Sequence, residues 1–158
     1  MGFLVRARIG MITAVVAAVA LVSAPAAANA ASKSWSGLKV YDGGTLRGMA
    51  SGTASTTSVH LKNTSKYSGT AYEPARVETS WYFREEVKDP DGSYHTSWEY
   101  EGRGDTPNAA STSTRSATVQ IALVNDATEG RAEPRICVPK PWGVPVPCSA
   151  TAILTLAY

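Results

Sequence analysis

Cys137 and Cys148 are the only cysteines in the 158-residue chain. They enclose Val138-Pro139-Lys140-Pro141-Trp142-Gly143-Val144-Pro145-Val146-Pro147. Two cysteines permit a single intramolecular pairing, and an oxidising compartment makes that pairing a disulfide. Four prolines inside the ring fix φ and remove backbone donors, so 138–147 reads as an extended or turning loop. The loop has two readings. In one it is a stapled connection between neighbouring strands, with Trp142 folded back onto the core. In the other it is a rigid recognition loop that offers Lys140 or Trp142 to a partner, since preorganisation lowers the entropy lost on binding. An extracellular hydrolase inhibitor would use such a loop, with Lys140 entering a trypsin-like pocket. Pro141 directly after Lys140 makes that peptide bond a poor protease substrate. A metal centre is not expected, because two cysteines and two widely spaced histidines, His60 and His95, fall short of a four-ligand set. No cofactor is implied.

Other residues could do chemistry in principle. Glu99 and Glu101 share one strand face, and Glu85 and Glu86 could oppose them, as a glycosidase requires. The same pattern describes an ordinary polar sheet face beside Arg84 and Lys88, which is the preferred reading. Tyr82, Trp98 and Tyr100 could form a sugar-stacking or peptide-binding surface. Alternation instead assigns Trp81 and Trp98 to the core. Arg103-Gly104-Asp105 matches the integrin-binding tripeptide, and is read as a solvated turn. No G-x-S-x-G elbow supports a catalytic serine. Gly43-Gly44 and Gly102-x-Gly104 follow no phosphate-loop spacing. Asn63-Thr64-Ser65 is a glycosylation sequon to which no weight attaches.

The elements that must position these groups are strands. Apolar residues alternate with Ser, Thr and charged residues, and no helix-period stripe appears. Strands are expected at Ser34–Tyr41, Thr45–Ala50, Thr57–Asn63, Arg76–Val87, Tyr94–Glu101, Ala117–Val124, Arg135–Val138 and Ser149–Ala157. Asp42-Gly43-Gly44 and Asp89-Pro90-Asp91-Gly92 are turns. Residues 51–56, 64–70, 102–114 and 125–134 read as loops. Ile153, Leu154 and Leu156 are expected to pack on both faces of an inner C-terminal strand. About eight short strands imply an all-β fold, a single antiparallel sandwich or small barrel.

The first thirty residues read differently. Arg6 and Arg8 precede an apolar run from Ile9 to Val22, and Pro25 and Ala28-Asn29-Ala30 follow it. These are the parts of a secretory signal peptide, with cleavage expected after Ala30. The run is shorter than the ~20 residues of a membrane span. Residues 1–30 are therefore the expected signal and 31–158 the secreted domain. Without Arg6 and Arg8 the chain has 13 basic and 13 acidic residues. That balance gives no electrostatic case for nucleic acid or an anionic membrane surface.

The segments Trp35-Ser36-Gly37-Leu38-x-Val40-Tyr41-Asp42-Gly43-Gly44-Thr45-Leu46-x-Gly48 and Arg135-Ile136-Cys137-Val138-Pro139…Pro147-Cys148-Ser149, behind an Ala-rich signal, resemble small exported proteins of Streptomyces-like actinobacteria. The resemblance implies a source and a location, and no catalytic residues. The expected function is a secreted, non-catalytic binding domain whose partner is an envelope component, a polysaccharide or another secreted protein. Lys140, Trp142, Tyr82 and Tyr100 are its candidate contacts. The alternatives are a hydrolase inhibitor acting through 138–147 and a small secreted hydrolase using Glu99 or Glu101.

Overall fold

A computed structural model of the chain describes residues 30–70, 73–109 and 113–158. Eight strands run in chain order: β1 Ser32–Asp42, β2 Thr45–Thr56, β3 His60–Ser68, β4 Arg76–Lys88, β5 Tyr94–Asp105, β6 Arg115–Ala122, β7 Glu129–Cys137 and β8 Leu154–Ala157. They form two four-stranded antiparallel sheets, β1-β2-β3-β6 and β5-β4-β7-β8. Each sheet turns one face inward, as the period-two side-chain pattern requires. The first contributes Trp35, Val40, Ala50, Ala54, Leu61 and Tyr67 to the core, and the second Val77, Trp81, Phe83, Ile136 and Leu156. The fold is the expected β-sandwich.

The two turns form where they were expected. Gly43 and Gly44 have φ of 56° and 78°, which suits the tight β1–β2 hairpin. Gly92 takes φ 90° in the β4–β5 hairpin, where its N–H donates to the Asp89 carbonyl.

Three expected loops are largely strand, and the start of a fourth is. Residues 51–56 complete β2, because Trp35 lies over Gly52 and needs that bare backbone. A Cβ there would sit 2.7 Å from the indole. Residues 64–68 continue β3, with Ser65 and Tyr67 buried. Asn63, also fully buried, accepts a 2.9 Å hydrogen bond from Trp35 Nε1. Its amide donates to Thr79 at 2.9 Å and Ser65 at 3.1 Å. A polar residue is thus satisfied inside the core, and the sequon asparagine is withdrawn from the surface.

Residues 102–105 extend β5, so Arg103-Gly104-Asp105 is strand and not turn. The charged stretch 129–134 belongs to β7, a strand paired on both sides. Pro134 fits there because its carbonyl accepts from Ala152 N, on the side where the regular ladder to β8 has ended. The missing N–H therefore costs no ladder bond. The inner C-terminal strand is corrected too: β8 has four residues at a sheet edge, and Ile153 is exposed.

Candidate functional site

The disulfide Cys137–Cys148 is formed. It sits at the end of β7, where Cys137 and Cys148 also make an isolated antiparallel bridge. Val138 N donates to the Pro147 carbonyl at 3.0 Å, and Ser149 N to the Ile136 carbonyl at 2.8 Å, so the base of the loop is pinned on both sides. Farther out, Val144 N donates to the Pro141 carbonyl at 3.2 Å across a four-residue turn. Gly143 holds φ 84° at its third position, where such a turn needs a left-handed residue.

Trp142 is thereby placed at a turn corner. Its exposure is complete, at 102% of the reference value, so the reading that folds it onto the core is overturned. Val144 and Val146 of the same loop are exposed as well. Lys140 points elsewhere. Its ammonium meets Asp42 at 2.7 Å and also Glu73, so it ties the loop to the β1–β2 turn and to the segment before β4. Hydrogen bonds to Asp42 and Glu73 raise its pKa, and the same bond lowers that of Asp42. Lys140 is an internal clamp, not a free side chain at the tip.

Tyr82 and Tyr100 come together on the outer face of the second sheet. Their rings meet edge to face, with centroids 5.5 Å apart. The Arg131 guanidinium lies 4.7 Å from both the Tyr82 and the Trp98 ring centroids, a stack of arginine between aromatics. Trp98 is therefore half-buried on this outer face, not in the core with Trp81. The β4–β5 pairing opposes Tyr82 to Tyr100 and Arg84 to Trp98, and β7 sets Arg131 beside Tyr82.

Nearer the disulfide on the same face, Glu78 is buried beneath arginines. Arg76 reaches it at 2.8 Å, Arg135 at 2.9 Å and Arg103 at 3.5 Å. Burial alone would raise its pKa, but hydrogen bonds from Arg76 and Arg135 and the charge of Arg103 outweigh that and lower it. Arg103 also pairs with Asp105 at 2.9 Å, so both charged ends of the tripeptide are engaged within the sheet. Glu78 lies close to both cysteine sulfurs. Those sulfurs are joined to each other and offer no thiolate to a metal.

Two further acid sites stand out among the described residues. Burial, then the charges of Glu101, Glu99 and Asp126, raise the pKa of Glu85. His95 and Ser93 both contact Asp89, at 2.9 and 3.3 Å, at the exposed hairpin. The carboxylate lies between them, so this contact does not set the imidazole on the hydroxyl as a nucleophile–base pair requires. No family model matches the chain, and no curated protein is significantly similar to it.

Sequence reasoning found the loop and the two tyrosines. It missed Arg131, whose rings lie on β4 and β5, and Glu78, which takes Arg76 from its own strand but Arg103 and Arg135 from β5 and β7. The alternation of one strand does not show which residues a neighbouring strand will bring to it.

Proposed function

We propose that the protein is an exported, non-catalytic binding domain that engages its partner through the 138–147 loop, with Trp142 as the anchor. The full exposure of Trp142 carries this reading. An apolar side chain of that size gains most by entering a pocket. The disulfide, the prolines and the Lys140 clamp hold the loop in place before binding, which limits the entropy lost. The disulfide is compatible with an extracellular location, and the N-terminal apolar segment with its A-x-A end supports export. Lys140, held by Asp42 and Glu73, gives the inhibitor reading no free basic residue at the tip.

The test is capture from culture supernatant and cell-wall extract by wild type and by Trp142→Ala. The variant is expected to lose the captured partner while its stability changes by less than about 0.5 kcal/mol, as for an exposed site. Equal capture by both would remove the loop from the reading. Glycan turnover by the wild type, abolished in Glu99→Gln, would replace binding with catalysis.

A further inference from the structure

The two sheets divide the charge of the chain unequally. The strands of the first sheet carry Lys33, Lys39, Arg47, Lys62, Lys66 and Arg115 against one acid, Asp42. That acid sits at the hairpin turn, where Lys140 holds it. The second sheet carries eight acids on β4, β5 and β7. Residues outside the described regions contain no acid. Lys33 and Arg115 pair with the inward-facing Ala54 and Tyr67, and Arg47 is held by Glu73, so the outer face takes its positive charge from Lys39, Lys62 and Lys66.

The pairing register draws that face in rows. Ser32, Ser55, Lys62 and Gln120 lie side by side across β1, β2, β3 and β6. The next row is Ser34, Thr53, Thr64 and Thr118, with hydroxyl contacts of 3.4 Å and 2.8 Å along it. Ser51, Lys66 and Ser116 follow, then Lys39, Met49 and Ser68. Lys39, Lys62 and Lys66 make no ion pair among the described residues. A groove of about 360 Å³ lies between Lys39 and Lys66, lined also by Met49, Ser51 and Ser68.

We propose that this face binds an acidic polysaccharide, with Lys39, Lys62 and Lys66 pairing carboxylates and the Ser/Thr rows bonding the hydroxyls between them. The charge density selects this occupant. Lys62 and Lys66 are four residues apart on one strand, roughly 13 Å. A DNA duplex presents a phosphate about every 3.4 Å of helix axis on each strand and asks for dense cations, and a single strand asks for stacking rings. The four rows contain no aromatic residue, and the pair beyond them, Tyr41 and Leu46, adds a single ring at one end of the face, not a series on which successive bases could stack. A lipid surface asks for an apolar stripe to enter it, and here Met49 and Leu46 stand beside one edge hairpin while the other rows are hydroxyls and lysines. Sparse ammonium groups separated by hydroxyls, each both donor and acceptor, match a sugar chain with one charge per few hydroxyls. Charge complementarity on this face is independent of the loop that carries Trp142.

The test uses protein purified from expression of the full chain. Binding is measured by calorimetry to hyaluronate, which carries a carboxylate on every second sugar, to neutral dextran, to oligo(dT) and to phosphatidylserine vesicles. Binding to hyaluronate is expected, with affinity falling about tenfold in Lys39→Gln/Lys66→Gln. It should be retained in Arg84→Gln and in Trp142→Ala, and weakened by added salt. The lysines are on the exposed face, so unchanged melting would verify that the double variant is folded. Absence of hyaluronate binding, equal binding to dextran, preference for oligo(dT) or the vesicles, or an equal loss in Arg84→Gln would each overturn the proposal.

Discussion

Glu78 is the residue where the neighbourhood matters most. Its carboxylate is withdrawn from water, and three arginines compensate. Hydrogen bonds to a charged partner are the stronger kind, but these guanidinium groups are partly open to solvent and can be rehydrated. Glu78→Gln is therefore expected to lose about 1–2 kcal/mol at pH 7. The sign with pH follows from the lowered native pKa. The stabilisation is present above the ordinary carboxylate value of 4.5 and is lost as pH falls through the lower native value. Urea unfolding at pH 7 and pH 3 should show wild type losing more stability than the glutamine variant. Identical losses would mean the arginines do not favour the ionised form. Tyr82 and Tyr100 were legible as a pair because their alternation is local. Arg131, the partner of Tyr82, was not, because β7 is nearly fifty residues beyond Tyr82 in sequence.

At the level of the element, the ring between Cys137 and Cys148 sets the shape of the proposed binding loop. Cys148→Ser is the milder cut, since Cys137 is fully buried. Opening a loop of this size costs about 3 kcal/mol in chain entropy. The prolines already restrict the open chain, so about 2 kcal/mol is expected, read as a lowered urea midpoint. Capture through Trp142 should fall with it, because the loop must then be ordered on binding. Undiminished capture would show that the prolines suffice. Strand legibility follows a similar logic. β4 was readable because Val77, Trp81 and Phe83 are large and alternate with polar residues. The second half of β2, the second half of β3 and most of β7 were not, since Gly52, Ala54, Ser65, Ala132 and Pro134 occupy their inward or close-packed positions. Small or satisfied polar residues fill a core without producing hydrophobic alternation.

Across the whole molecule, both sheets close on one shared core. Trp35 of the first sheet is bonded to Asn63, and Asn63 to Thr79 of the second, so the two halves also share a buried polar network. Near-ultraviolet and far-ultraviolet circular dichroism should therefore report coincident thermal transitions. Two separated transitions would mean that the sheets unfold independently. The charge division between them is likewise a property of the assembled sandwich.

The sequence by itself determined the alternation that makes strands, the two glycine turns and the single disulfide pairing. These depend on residues near one another along the chain, or on there being only one choice. The tertiary structure alone decided that Trp142 stands in solvent, that Lys140 is an internal clamp, that Glu78 is buried and that three lysines share one face with no acid opposite them. Each depends on which distant strands become neighbours. β3 meets β6 and β4 meets β7 across about fifty residues, and side-chain alternation fixes which face a residue takes without saying what will lie opposite it.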